Sequence, residues 1–212
     1  MNIPHLNQRK LNGTIWGTVL DVVSKTLFVD SRNSSTKKME LTKLKIPDLE
    51  AETKPGIDSW WSQLIGAKDE RLLFIEYQDQ NDPNKYKHVE LNWKNSEIKE
   101  LHQDIILPKD FSKYPQVYEH NSAYHKTVIE FLSLDTPLSC EYFEWGDKII
   151  ISYYLRSDTG FERYLLVLKE GKKLWKVKQD HSMKGFSPGA FFVFQNQLIF
   201  IKDLNEVCIY AD

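Results

Sequence analysis

A two-strand phrase that recurs along the chain constrains the fold more than any other feature. Each copy begins with a short apolar run, continues through a polar turn and ends in a strand of alternating polar and apolar residues. Successive copies start 46, 76 and 49 residues apart, measured at positions 27, 73, 149 and 198. Repeats of this length are typical of stacked or radial β units that are each too small to bury an apolar face alone.

The repeats predict an all-β fold of antiparallel meanders. The simplest arrangement is a small β-propeller-like set of four or five units within a single domain covering residues 1–212, and an open sheet or a β-sandwich is the alternative. The last unit has only three strands before the chain ends, so a strand near the N-terminus is expected to complete it and to remove exposed edges.

Residues 94–138 interrupt the regular spacing of the repeats, which predicts an irregular insert. Within it, Ser122 is placed as an N-cap, and Tyr124, Val128 and either Phe131 or Leu132 recur at helical spacing. A short helix is therefore predicted, with a strand as the alternative because Val128 and the neighbouring Ile129 are β-branched.

Two local predictions concern the segment between the first and second repeats. Residues 48–59 are acidic and contain Pro55 followed by Gly56, which predicts a loop. Trp60 and Trp61 are predicted to begin the next strand, where adjacent side chains point to opposite faces. One indole would then join the core, and the other could line a surface or a channel.

Composition narrows the classes of partner. The net charge of −2 disfavours nucleic-acid binding, which needs an excess of phosphate-neutralising cations. The first ten residues lack the apolar segment of a secretory signal, and no run approaches the 18 apolar residues of a membrane span. Two cysteines, Cys140 and Cys208, do not form a disulfide framework. We therefore expect a cytoplasmic protein that uses neither membrane nor nucleic acid, while its oligomeric state stays open.

A set of short motifs is spread over nearly the whole chain. The motifs are Ile15-Trp16, Arg32, Trp60-Trp61, Tyr77 with Asp79 and Asp82-Pro83, Tyr114-Pro115 with Tyr118, Phe131-Leu132, and the closing apolar runs at 191–194 and 198–200. Together they resemble a family of Bacteroidetes proteins known only as a domain of unknown function. The resemblance implies propeller-like repeats and no known activity, cofactor or catalytic residue.

The aromatic residues are the first candidates for a binding site. Exposed aromatic rings beside a concavity serve sugar or peptide recognition, since they bury flat apolar surface and keep a polar edge. Packing between the units is the competing interpretation of the same residues. The candidates chosen on this basis are Trp60, Trp61, Tyr77 and Tyr118.

Titratable clusters give two weaker hypotheses. His120 and His125 could join Glu119, Glu130 and Asp135 in a histidine–carboxylate site, although a spacing of five does not align two ligands on one helical face. Asp79 and Asp82 lie in an oxygen-rich loop that could hold a metal ion, but aspartate and proline are equally typical of hairpin turns.

Catalytic motifs do not stand out in the sequence. It contains neither a Gly-x-Ser-x-Gly elbow nor a glycine-rich phosphate loop, so no cofactor is predicted. We predict a non-enzymatic binding or scaffold module for a protein or small-molecule ligand. One alternative is a hydrolase or lyase that acts on a glycan or small molecule in a central cavity, and another is a structural or regulatory partner protein with an exposed apolar patch.

Overall fold

The computed structural model describes residue 3 and residues 5–79, 81–102, 112–133 and 136–211. Over these residues the chain forms seventeen strands and one helix, and every strand pair with an assigned register is antiparallel. The prediction of an all-β fold of meanders is confirmed. The chain divides into two compact units, unit 1 with Met1–Leu6 and Ser112–Asp212, and unit 2 with Asn7–Phe111. The prediction of a single domain stays a prediction.

The first half of the chain consists of consecutive short strands. These are β1 (Leu6–Lys10), β2 (Thr14–Asp21), β3 (Thr26–Asn33), β4 (Lys38–Lys45), β5 (Ala51–Pro55), β6 (Ser62–Lys68), β7 (Arg71–Tyr77), β8 (Tyr86–Asn92) and β9 (Ile98–Leu101). In unit 2 they form two four-stranded sheets, with orders β2-β3-β4-β5 and β6-β7-β8-β9.

The second half contains the helix and the remaining strands, which include the three longest. These are β10 (Gln116–Tyr118), α1 (Ala123–Leu132), β11 (Cys140–Trp145), β12 (Lys148–Ser157), β13 (Gly160–Lys169), β14 (Lys172–Met183), β15 (Phe191–Phe194), β16 (Gln197–Lys202) and β17 (Glu206–Ala211). One sheet has the order β10-β11-β12-β13-β14 and another the order β1-β17-β16-β15. The prediction that an N-terminal strand completes the last sheet is confirmed, because β1 is the neighbour of β17.

Helix α1 confirms the helical interpretation of the insert. Ser122 is its N-cap, with an extended backbone and a side-chain oxygen that accepts the His125 N–H. This contact satisfies one of the amide groups that the first turn leaves without an intrahelical partner. The helix ends at Ser133 in the left-handed region. Its buried face, formed by His125 and Val128, lies towards the apolar cluster around Tyr153.

The core of unit 2 lies between the inner faces of its two sheets. Phe28, Leu41, Leu72 and Phe74 are fully buried there, and Trp93 closes the cluster with its ring 5.4 Å from that of Phe28. Strand β3 is buried along nearly its whole length, as a central strand requires. Positions 30 and 32 follow Phe28 on the same face of β3, and the apolar core ends there.

Two local predictions between the first and second repeats are wrong. Residues 51–55, predicted as part of a loop, form the edge strand β5, which pairs with β4. Its polar sequence is compatible with this position because an edge strand exposes one side to water, and Pro55 removes no needed donor there. Trp60 and Trp61 lie in a bend ahead of β6 and outside the strand.

The insert at 94–138 also contains more regular structure than expected. Strand β9 extends the second sheet of unit 2, and β10 adds an edge strand to the five-stranded sheet of unit 1. Residues 103–111, which include Pro108, lie outside the described part of the chain. No helix in that described part has the length and apolar character needed to span a membrane.

Candidate functional site

A cleft of about 450 Å³ opens in unit 2 where the edge strands β2 and β6 approach each other. Both strands lie at the first position of their sheets, so the cleft lies beside the joint between the two sheets. We call it the aromatic cleft. Its lining residues are Trp16, Gly17, Thr18, Asp30, Arg32, Trp60, Trp61, Ser62, Gln63, Leu64 and Tyr77.

A buried ion pair forms the floor of the aromatic cleft. Asp30 and Arg32 are two residues apart on β3, so both side chains project from the inner face that also carries Phe28. The Arg32 Nε atom lies 3.1 Å from Asp30 Oδ1, and Nη2 lies 2.6 Å from Oδ2. This two-point geometry is the strong form of an arginine–carboxylate contact. Both side chains are about 1% exposed, so the charges have little access to water.

Arg32 also holds the segment that leads into β6. Its Nη2 donates to the Ser62 carbonyl at 2.6 Å, and Nη1 donates to the Trp60 carbonyl. These two carbonyls belong to the bend where the chain enters the second sheet. Arg32 therefore ties β3 of the first sheet to the start of β6, and fixes the backbone that carries both tryptophans.

The guanidinium of Arg32 is in turn covered by indole rings. Its central carbon lies 4.5 Å from the ring centroid of Trp16 and 5.7 Å from that of Trp60. The two rings meet edge to face at 5.8 Å. Trp60 also contacts a second cation, because Lys37 Nζ lies 4.7 Å from its ring centroid. Such cation–π contacts are stronger when water is excluded, and they leave Trp60 surrounded by protein groups.

Trp16 and Trp61 retain the open ring surface of the cleft. Trp16 is 57% exposed and Trp61 is 45% exposed, which is unusual for residues of this size. Trp16 occupies a β-bulge, because the register of β2 with β3 passes from Ile15 directly to Gly17. Bulges redirect a side chain away from the regular alternation of the strand. Trp16 is thereby placed over Arg32 with much of its surface open.

Polar groups also line the cleft. The Tyr77 hydroxyl donates to Gln63 Oε1 at 3.4 Å, and the Tyr77 backbone N–H donates to the Trp61 carbonyl at 2.8 Å. Thr18 contributes a half-buried hydroxyl from β2. The aromatic cleft thus combines two open indole rings with neutral hydrogen-bonding groups above a closed ion pair.

Three of the sequence-predicted ligand residues, Trp60, Trp61 and Tyr77, come together in this cleft. The expectation that one indole of the Trp60–Trp61 pair joins the core is wrong, because both lie in the bend and Trp60 is only half-buried. Sequence reasoning missed Trp16 and the ion pair as site residues. The available signal was a glycine directly after a tryptophan within a strand, which often marks a bulge.

The remaining aromatic candidate, Tyr118, lies in unit 1 within a stack of three tyrosines. Its ring is 5.2 Å from Tyr124 and 5.4 Å from Tyr142, and both pairs are nearly parallel. Burial raises the pKa of Tyr118, and burial with the nearby Glu144 carboxylate raises the pKa of Tyr142 to about 12. The stack fills the space between β10, β11 and α1.

His120 and His125 also lie in unit 1, with ring centroids 5.0 Å apart. His125 is fully buried; its Nδ1 accepts the Asn121 N–H at 3.3 Å and its Nε2 lies 2.8 Å from the Leu138 carbonyl. Both ring nitrogens of His125 are therefore used within the fold. His120 is exposed, and its backbone N–H donates to Ser139. Asp135, the third partner of the predicted site, lies outside the described residues.

Asp79 and Asp82 form the polar turn between β7 and β8. Their Oδ1 atoms accept backbone N–H groups two residues ahead, at 2.9 and 3.1 Å, and Lys85 Nζ lies 3.7 and 3.6 Å from their other oxygens. Among the described residues no group of three or more histidine, cysteine, aspartate or glutamate side chains could hold a metal ion. The metal hypothesis for this loop stays a prediction.

A second open cleft of about 530 Å³ adjoins the aromatic cleft in unit 2 and shares Trp60 with it. We call it the lysine cleft because Lys37, Lys38 and Lys54 line it together with the carboxylates of Glu40 and Asp58. The charges of its wall are thus mixed in sign. We place the candidate site in the aromatic cleft, where open indole rings coincide with a rigid floor.

Unit 1 contains a separate buried polar network around Glu141. This carboxylate is 1% exposed and accepts N–H groups from Gly189 at 2.6 Å and Ala190 at 3.1 Å. Burial raises the pKa of Glu141, while those two amide groups and nearby Arg163 act in the opposite direction. Tyr154 holds the same loop, because its hydroxyl contacts the backbone of Ser187. The network secures the connection between β14 and β15.

Comparisons with known proteins do not assign the chain. No protein-family model and no curated protein matches it. It is similar to a Pyrococcus horikoshii acylaminoacyl peptidase at 9% identity and a TM-score of 0.28, over 90% of this chain and 36% of that one. An acylaminoacyl peptidase in complex with Z-Gly-Gly-Phe-chloromethyl ketone gives 10% identity and a TM-score of 0.26, over 93% and 38%. The chain spans less than two fifths of either structure, and TM-scores this low establish no common fold.

Proposed function

We propose that the protein is a non-enzymatic binding module whose ligand site is the aromatic cleft of unit 2. The observation that carries the proposal is the pair of open indole rings, Trp16 and Trp61, beside a backbone that Arg32 holds from below. A ligand that binds a preformed surface avoids much of the entropic cost of ordering it. The volume of about 450 Å³ lies in the usual range for small-molecule sites.

A binding role agrees better with this cleft than the hydrolase or lyase alternative. Among the described lining residues, Asp30 and Arg32 are the only formally charged side chains, and each is engaged by the other. General acid–base chemistry needs a titratable group within reach of the substrate proton. The structural-partner alternative, which requires an exposed apolar patch, stays a prediction.

The same proposal includes the architecture and setting expected from the sequence. Four antiparallel sheets in chain order, with β1 beside β17, support a small propeller-like arrangement of four units. Two buried free cysteines support a reducing, cytoplasmic location. Membership of the uncharacterised Bacteroidetes family and independence from nucleic acid are retained as proposals on the sequence motifs and the net charge.

A ligand screen with two site variants tests the binding function. Intrinsic tryptophan fluorescence and thermal shift are recorded against a mixed library of sugars, nucleosides, amino acids and short peptides. Trp61→Ala removes an open ring, and Gly17→Ala adds a methyl group to the lining of the cleft and so narrows it. The fold should tolerate this methyl group, because a Cβ at Gly17 has only ordinary contacts of 3.9 and 4.0 Å with Leu64. The matched control is Tyr124→Ala, another exposed aromatic in unit 1.

We expect at least one ligand class to bind the wild type and the control, and to bind both site variants more weakly. Hits whose affinity is the same in all four proteins would refute the proposed site. A library without any hit would refute the binding function itself.

A further inference from the structure

The charge balance of the aromatic cleft restricts the ligand that it can bind. The Nε and both terminal nitrogens of Arg32 already donate to Asp30 and to the two backbone carbonyls of the bend. The Asp30 oxygens accept from the same guanidinium. These contacts use four of the five guanidinium N–H groups, and both side chains are about 1% exposed. An anionic ligand would therefore find no accessible free cation on the floor, and a cationic ligand would find no free carboxylate. Desolvation of a ligand charge without a partner is costly.

The ring surfaces lead to the same conclusion about cations. An open aromatic cage attracts a ligand cation through its ring faces. Here Arg32 already lies against Trp16, and Lys37 with Arg32 flanks Trp60. A second cation over Trp16 or Trp60 would be repelled by the Arg32 guanidinium, which Asp30 holds in place. The ring surface left for a ligand is therefore flat, apolar and next to positive charge.

The polar groups beside the open rings are neutral. Gln63 is exposed and uses its Oε1 atom for the Tyr77 hydroxyl, which leaves its amide N–H groups directed to a ligand or water. Thr18 offers a hydroxyl that can donate or accept. A ligand suited to this wall needs a flat apolar face and, along its edge, hydroxyl groups that both donate and accept.

We propose that the aromatic cleft binds a neutral carbohydrate, with a pyranose ring lying on the open surface of Trp61 or Trp16 and its hydroxyls hydrogen-bonded to Gln63 and Thr18. A pyranose combines an apolar C–H face with a neutral hydroxyl edge, which is the combination of surfaces that the cleft presents. The inference rests on the proposed binding function and adds the chemical class of the ligand.

Isothermal titration with oligosaccharides of matched length and different charge tests the ligand class. The neutral probes are cellohexaose, maltohexaose, xylohexaose and the chitin hexamer. The charged probes are hexagalacturonate, which is anionic, and the chitosan hexamer, which is cationic. Each is titrated into the full chain, into Trp61→Ala and Gly17→Ala, and into the Tyr124→Ala control, at low and at high salt.

We expect at least one neutral probe to bind and the two charged probes to bind more weakly. Trp61→Ala should weaken the neutral probe about tenfold, the factor that corresponds to about 1.4 kcal/mol of binding free energy. Gly17→Ala should weaken it without changing the thermal unfolding of the protein. Affinity should vary little with salt, because a neutral ligand has no charge for ions to screen.

The outcomes separate the ligand class from the site. Two results would overturn the carbohydrate inference and still support a binding module. One is tighter binding of a charged probe, and the other is binding of library nucleosides or peptides alone, with an affinity that Trp61→Ala lowers. If a carbohydrate binds both site variants with the affinity of wild type, the assignment of the site is overturned. If no oligosaccharide binds at millimolar concentration, the carbohydrate inference is overturned. If no compound of the library binds either, the proposed binding function is overturned as well.

Discussion

Removal of the Arg32 charge tests whether the ion pair stabilises the joint between the two sheets of unit 2. In Arg32→Met, Asp30 keeps its burial of about 99% and loses its counter-charge, while two carbonyls of the bend lose their donor. Breaking a buried pair by removing one partner costs about 3 to 5 kcal/mol. With a urea dependence of about 2 kcal/mol per molar, the unfolding midpoint should fall by about 1.5 to 2.5 M.

Urea unfolding followed by tryptophan fluorescence and far-UV circular dichroism measures this loss. Three further variants isolate its cause. Asp30→Asn with Arg32→Met should be more stable than Arg32→Met alone, because the second substitution removes the buried carboxylate that lacks a partner. Arg32→Lys keeps the charge and loses the planar fork, so its stability should lie between wild type and Arg32→Met. Asp30→Asn alone completes the double-mutant cycle.

The result that would refute this reasoning is specific. If Arg32→Met unfolds within about 1 kcal/mol of wild type, the pair is not a significant contributor to the stability of unit 2. If Asp30→Asn gives no recovery in the Arg32→Met background, the loss arises from the carbonyl contacts or from packing of the indoles. The first outcome would also remove the rigid floor on which the proposed ligand site depends, whereas the second would attribute the rigidity to contacts other than the ion pair.

Three further substitutions have expected outcomes that other contacts define. Burial raises the pKa of Glu141, so this group contributes most stability below its unfolded pKa and loses it as pH rises through its folded pKa. The unfolding free energy of wild type minus that of Glu141→Gln should therefore fall as pH rises above about 4. A difference between wild type and Glu141→Gln that instead rises with pH would contradict the burial argument. Ser122→Ala removes the N-cap of α1 and should cost about 1 kcal/mol in urea unfolding, and an unchanged midpoint would refute the capping role. Gly13→Ala forces a φ of 78° on a side chain and places its Cβ 2.5 Å from a backbone oxygen of β3, so it should cost more than about 2 kcal/mol in the same assay, whereas a cost below about 0.5 kcal/mol would show that the backbone can adjust.

The strands that the sequence predicts well are those with a buried inner face. The central strands β3, β7, β12 and β16 each contain a run of three or more consecutive apolar residues, because the middle of a central strand is covered on both faces. Helix α1 was predictable for a different reason: its cap and its apolar spacing lie within eleven residues of sequence. Such signals are local, so a single sequence contains them in full.

Edge strands were predicted poorly because their stability comes from partners far along the chain. Strand β5 has no apolar alternation, and it is held by the ladder to β4 and by the contact of Glu52 with the Trp93 indole N–H. That contact joins residues 41 positions apart. A pattern confined to a few neighbouring residues therefore could not distinguish β5 from a loop.

The aromatic cleft was predictable only in part for a similar reason. Trp60, Trp61 and Tyr77 could be selected as candidates because large aromatics in a polar segment stand out. The role of Arg32 depends on carbonyls 28 and 30 residues away, and the exposure of Trp16 depends on a bulge that only the pairing of β2 with β3 defines. Neither relation can be recognised from the residues that neighbour Arg32 or Trp16 in the sequence.

The position of the Asp30–Arg32 pair favours a functional origin over a purely structural one. An apolar pair at these two positions of β3 would extend the core that ends at Phe28 and avoid the cost of burying two charges. It could not, however, fix the two carbonyls of the bend, nor hold Trp16 open over a polar floor. A local departure from the expected apolar pattern is typical of sites under functional constraint. Together with the bulge that exposes Trp16, the ion pair therefore accounts for a bend in which Trp61 stays on the surface.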